Sequence, residues 1–154
     1  MANPFIALEA DNSSTETTIS DLPPLEEFAW DFANNRYIYD GNGRIKTVYE
    51  NEALKVWIYK MLKVERYRFN VYVHGIYNDE ANYGVMLEKY IGKYPNNEKT
   101  AGLIRREIYD AILANPYVTK INSLEIAELK NEHLTLSMDL TSIYGNLNLS
   151  SVII

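Results

Sequence analysis

Cysteine is absent from the 154 residues, which excludes a disulfide framework, a thiolate metal site and a cysteine nucleophile, and suits folding in a reducing cytoplasm. Histidine is nearly as scarce: His74 and His133 are the only two, too few to hold a zinc ion by themselves. No apolar run approaches the roughly 20 residues a membrane span requires, and the start Met1-Ala2-Asn3-Pro4-Phe5 lacks a basic segment leading into an apolar one. The expectation is a soluble, unexported protein with no membrane partner. A chain of this length is expected to form one domain with a core of its own.

Bases are missing from one region altogether. The first 31 residues hold seven acids (Glu9, Asp11, Glu16, Asp21, Glu26, Glu27, Asp31) and no lysine or arginine. Of 21 acids, 14 then remain against 15 bases, so the net charge of -6 belongs to the N-terminal region and the body is near neutral. Phosphate binding needs clustered cations, and none are evident, so a nucleic-acid partner is not expected. What the chain has in abundance is tyrosine, 13 residues. A large ring with a polar tip, ordered at low entropic cost, suits protein contact surfaces.

The stretch from Glu9 to Pro24, with Asn12-Ser13-Ser14-Thr15 and Pro23-Pro24, has little to bury, and residues 1–27 read as an acidic flexible arm. Residues 28–154 read as a single α+β domain. Phe28-Ala29-Trp30-Asp31-Phe32, Tyr37, Tyr39, Ile45 and Val48 alternate about Asp40-Gly41-Asn42-Gly43, predicting two or three short strands over 28–49. From Asn51, a candidate cap, the period becomes helical: Leu54, Trp57, Ile58, Met61 and Leu62 share a face, with Lys55, Lys60 and Lys63 elsewhere. An extended segment is expected over Tyr67–Val73 and a short helix over Val85–Ile91, closed by Gly92. A further helix carries Leu103, Ile104, Ile108, Ala111 and Ile112 and stops at Asn115-Pro116, because the residue before proline is driven out of the α region. Val118–Glu128, then Leu134, Leu136, Met138 and Leu140, then Leu147 and Leu149 read as strands, the first two joined by a turn at Lys130-Asn131-Glu132. Runs of one element type predict helices packed on one face of a mainly antiparallel sheet. The apolar end Ser151-Val152-Ile153-Ile154 reads as a free sheet edge or an extension that needs a partner.

Catalytic candidates are few. Gly41-Asn42-Gly43 lacks the third glycine and the strand-to-helix setting of a dinucleotide site, and reads as a hairpin turn. His74 beside Gly75 reads as a packed or solvated residue rather than a general base, and His133 sits next to a turn. Glycoside hydrolysis needs two carboxylates flanking one bond, whereas the neighbours in Asp79-Glu80 and Glu26-Glu27 point apart. Glu65 is better placed, just past the first helix, but Arg66 beside it favours an ion pair or hydrogen-bond anchor over a general acid.

Phe28-Ala29-Trp30-Asp31-Phe32, Glu52-Ala53-Leu54-Lys55-Val56-Trp57-Ile58, Glu65-Arg66-Tyr67, Asn115-Pro116-Tyr117-Val118 and Ile143-Tyr144-Gly145 occur in that order. Over roughly residues 28–150 this series resembles the XkdS-type proteins of PBSX-like prophages and tail-like bacteriocins. Those are similar to the wider baseplate-wedge family of contractile tails, labelled lysozyme-like, whose members are sheath initiators. The resemblance implies a small α+β structural subunit in six copies about the tail axis, assembled in the host cytoplasm. Its partners would be baseplate wedge proteins, the tail sheath protein and tube-proximal baseplate proteins, and no cofactor or metal is implied. The family's Glu-Arg pair falls on Glu65 and Arg66. Its Glu-Pro-Arg motif, which grips the wedge, falls on Asn115, Pro116 and Tyr117, where the proline stays and both charges are gone. The resemblance then implies contact through the Tyr117 ring and the Asn115 amide.

No carboxylate pair supports carrying over the lysozyme label, so a non-enzymatic role is expected. A tail-associated peptidoglycan hydrolase and a small cytoplasmic protein-binding regulator are the alternatives. The expected contact mode is strand augmentation, with Leu147, Leu149, Val152 and Ile153 as the platform, against plain core packing of the same residues. The acidic arm is either a contact to a basic neighbour or simply disordered. Removal of residues 146–154 is expected to leave a folded body that no longer attaches the sheath.

Overall fold

The computed structural model describes residues 22–69, 83–90, 97–130 and 133–153. Several expectations fall outside these residues: the first 21 residues of the arm, Val71–Val73, His74, Asp79-Glu80, Ile91-Gly92 and Asn131-Glu132.

Among the described residues the first elements are four short strands: β1 (Glu26–Phe28), β2 (Trp30–Asp31), β3 (Arg36–Tyr37) and β4 (Thr47–Tyr49). β1 pairs with β4 and β2 with β3, both antiparallel. Backbone bonds from Ala29 N to Lys46 O and from Ile38 N to Ala29 O join the two pairs into one folded ribbon. At its tip the Asp40 carboxylate accepts from Asn42 N (2.8 Å) and Arg44 N (2.9 Å), and Gly43 takes the left-handed φ of 76°. The fold begins earlier than residue 28. Leu25 is buried, Glu27 pairs with Lys60 at 2.9 Å, and Pro23 O accepts from the Tyr117 hydroxyl at 2.7 Å.

Helix α1 (Glu50–Leu62) follows β4 directly. Its first amide is satisfied by the main chain, Glu50 N donating to Leu25 O at 2.9 Å, so Tyr49 is the cap residue and Asn51 is not. Asn51 serves elsewhere, accepting at 2.6 Å from the Ser142 hydroxyl. Eight of the thirteen residues of α1 are buried, which exceeds what a one-sided amphipathic helix covers. The ribbon lies on one side and the main sheet on the other, with Phe32 packed edge-on against Tyr59 at 4.8 Å. Helix α2 (Glu98–Leu113) is one-sided, burying Thr100, Ile104, Ile108, Ala111 and Ile112. Leu103, expected in that row, is exposed. Asn97 caps α2 by accepting from Thr100 N at 3.0 Å, and the helix ends ahead of Pro116 as the sequence predicts.

Strands β5 (Val118–Lys130), β6 (His133–Ser142) and β7 (Gly145–Ile153) form an antiparallel meander in that order. Along β6, Leu134, Leu136, Met138 and Leu140 are buried, while Thr135, Ser137, Asp139 and Thr141 between them are half-buried. The apolar row of the sheet shares one core with Leu54, Ile58, Met61, Ile108 and Ile112 of the helices. The chain is thus α+β, with both helices against one face of the antiparallel sheet.

Two further local expectations fail. No helix forms over Val85–Tyr90; instead Val85 bridges to Glu65 in parallel. Tyr67 takes a left-handed φ of 66° rather than opening an extended segment. In both places a tertiary contact of the 83–90 segment with the end of α1 overrides local propensity. Among the described residues, no helix is long and apolar enough to cross a membrane.

Candidate functional site

The predicted contact residues divide among three places, two of which face inward. At the end of α1, Glu65 and Arg66 do not pair with each other. The Glu65 carboxylate accepts from Leu87 N (3.0 Å) and Glu88 N (3.2 Å), while Arg66 Nε and Nη2 both donate to Gly84 O (3.1 and 3.0 Å). Main-chain bonds Val85 N to Val64 O and Arg66 N to Val85 O complete the clasp. Gly84 has φ +96°, and a Cβ there would meet Val64 O at 2.6 Å. The close approach of the two segments therefore requires glycine. Both charged side chains anchor the 83–90 segment by hydrogen bonds, and Lys89, paired with Glu107, ties the same segment to α2.

The second place is the corner after α2. Asn115 is completely buried, its Oδ1 accepting from Tyr117 N at 2.9 Å in an Asx turn. Its Nδ2 has no hydrogen-bond partner among the described residues. Tyr117, 2% exposed, stacks on Tyr144 at 6.0 Å and 16° and donates to Pro23 O. Tyr144 in turn accepts from Leu25 N at 2.9 Å. Burial, followed by the nearby Tyr144, pushes the Tyr117 hydroxyl above its ordinary ionisation range. Within this chain Asn115 and Tyr117 thus close the entry of the main chain onto the core, and only Pro116 between them is partly exposed.

The third place is the β7 edge. β7 is terminal in its sheet, and among the described residues nothing pairs with its outer side. Leu147 and Leu149 are buried against the helices. Removal of residues 146–154 would therefore take away core leucines and all of β7 but Gly145, which argues against the expectation that this deletion leaves the body folded. Opposite Ser137, β7 carries one extra residue: Leu149 registers with Met138 and Val152 with Leu136, leaving Ser150 and Ser151 against a single partner. This bulge moves the apolar row from odd to even positions and brings Val152, not Ser151, over Leu136. Ile153 registers with Thr135.

Beside this edge lies an open groove of about 440 Å³. Phe32 and Ala33 of the β2–β3 turn form one wall, Lys55, Ile58 and Tyr59 of α1 the floor, and Asn148 to Ser150 with Val152 the other wall. Because the consecutive residues Asn148, Leu149 and Ser150 of β7 all contribute, the groove opens onto the strand's backbone edge and not onto one of its faces. Phe32, Lys55 and Tyr59 were not among the predicted contacts. Lys55, Tyr59 and the C-cap residue Lys63 recur at spacings of four, a signal of a mixed aromatic and cationic stripe that apolar periodicity passes over. Among the described residues, no group of acids and histidines able to hold a metal ion occurs.

No curated protein matches the sequence. Residues 26–145 match one family model, the contractile injection system sheath initiator.

Proposed function

Given that the chain belongs to the sheath initiator family of contractile injection systems, a structural part of the baseplate, we propose that it starts the sheath by accepting a strand from the first sheath ring at the β7 edge. The free edge with an open groove alongside carries this reading. An added strand gains main-chain hydrogen bonds along β7 while its side chains enter the groove. The bulge at Ser150-Ser151 supports the same reading, since bulges on edge strands deter indiscriminate pairing. Leu147, Leu149 and Val152 then serve as the floor that holds the edge in place, and Ile153 extends it.

The finer assignment is to the XkdS-type proteins of PBSX-like prophages and tail-like bacteriocins. On that reading six copies surround the tail axis, bridging wedge proteins to the sheath, with tube-proximal baseplate proteins nearby and assembly in the bacterial cytoplasm. Pro116, at the corner held by Asn115 and Tyr117, is the wedge-facing point, and the Glu65–Arg66 clasp shapes the neighbouring surface through the 83–90 segment. The acidic arm reaches a more basic neighbour.

The absence of cysteine makes the test clean. Asn148→Cys, at an exposed edge position, should cross-link to a cysteine placed in a terminal strand of the sheath protein when both are co-assembled. Glu125→Cys, exposed on β5 at the other side of the sheet, should not. Cross-linking at Glu125 but not at Asn148 would refute the assignment.

A further inference from the structure

Resting on the strand-addition reading above, we propose that the β7 groove selects an acidic strand. It carries carboxylates four residues apart, over Lys55 and Lys63, and an apolar side chain between them against Tyr59. Lys55 and Lys60 lie in α1, and Lys63 is its C-cap residue. Lys60 is engaged by Glu27 at 2.9 Å. Lys55 and Lys63 form no ion pair among the described residues. Instead Lys55, which lines the groove, has its Nζ 5.2 Å from the centre of the Phe32 ring, while Lys63 lies outside the lining and adjoins it through its Nζ, 4.4 Å from the centre of the Tyr59 ring. Lys63 also donates to Asn35 Oδ1 at 3.4 Å. Aromatic contact holds each ammonium in place and leaves it able to receive an anion. Glu52, exposed one turn before Lys55, does not pair with it.

Geometry gives the spacing. Asn51 reaches Asn146 O, while Ile58 and Val152 line the same groove further along, so α1 and β7 run in the same direction. A strand laid beside β7 therefore also lies along α1. Eight helical residues separate Lys55 from Lys63, about 12 Å of axis, which a strand covers in about four residues at roughly 3.4 Å each. Even spacing keeps both carboxylates on one face of the incoming strand, and the residue midway faces the same way, toward Tyr59.

The test uses the full chain and three synthetic peptides as long as β7, nine residues. Each has an apolar residue flanked two positions away on either side by Glu, Gln or Lys. Binding by fluorescence anisotropy at low salt should favour the Glu peptide over the Gln peptide by about 2- to 30-fold, from two partly screened ion pairs. The Lys peptide should bind weakest. The preference should shrink at high salt and disappear in the double variant Lys55→Gln, Lys63→Gln. Equal binding of the Glu and Gln peptides, tighter binding of the Lys peptide, or no binding by any of the three overturns the inference. The Asn148→Cys cross-link decides separately whether a strand adds to β7 at all.

Discussion

Gly84 is the position where a single methyl group tests the clasp between α1 and the 83–90 segment. In Gly84→Ala the new Cβ would lie 2.6 Å from Val64 O and 3.1 Å from Arg66 N, both main-chain atoms that no side-chain rotation relieves. The left-handed backbone at φ +96° adds about 1–2 kcal/mol for any residue with a Cβ. Moving the segments apart weakens the bonds Val85 N to Val64 O and Arg66 N to Val85 O, each contributing about 0.5–1.5 kcal/mol. The sum is about 2–5 kcal/mol, a large part of an ordinary stability of about 5–15 kcal/mol. At about 2–4 °C per kcal/mol for this chain length, the melting temperature should fall by roughly 4–20 °C. Two other glycines calibrate the value. Gly43 also has positive φ, 76°, but nothing lies within 4 Å of its Cβ position, so Gly43→Ala should show the backbone cost alone, about 1–2 kcal/mol. Gly102 sits in α2 with open space around it, and Gly102→Ala should stabilise by about 0.5–1 kcal/mol. Urea titrations followed by circular dichroism measure all three, and amide exchange at Val85 and Arg66 reports the clasp locally. If the Gly84 and Gly43 variants agree within about 0.5 kcal/mol and Val85 stays protected, the close approach does not restrain the segment.

Four further outcomes are expected. Tyr117 keeps its proton in the folded chain above pH 10, where the unfolded chain releases it, so its contribution is full below about pH 10 and declines as pH rises through the window toward its raised value. Tyr117→Phe should flatten that alkaline decline in a pH series of melting curves, at a cost of about 1 kcal/mol for the bond to Pro23 O; an unchanged slope counts against the assignment. Glu65→Ala should lower stability by about 1–3 kcal/mol by leaving the Leu87 and Glu88 amides unpaired, and Glu65→Gln should recover most of it. Neither variant should alter a zymogram on cell-wall substrate, whereas a lytic band lost with Glu65→Gln would restore the hydrolase reading. Ile58→Ala, at a site with no exposure, should cost about 2–5 kcal/mol in the same urea titrations, and a loss below 1 kcal/mol would place Ile58 outside the core.

Periodicity alone determined the elements that bury an apolar row. Both helices, the stop at Pro116 and the three long strands were legible because the spacing of Leu54 to Leu62, Ile104 to Ile112 and Leu134 to Leu140 is a local property of the chain. The absence of cysteine and the scarcity of histidine likewise settled which chemistries to set aside. The tertiary structure decided whatever depends on main-chain partners distant in sequence. Asn51 does not cap its helix because Leu25 O already meets the first amide. Val85 bridges to Glu65 instead of starting a helix, and Tyr117 turns inward because Pro23 O and Tyr144 receive it. The groove lies beyond sequence reach for the same reason: Phe32, Lys55 and Asn148 belong to three elements, and only packing the ribbon and the sheet on opposite sides of α1 brings them to one edge.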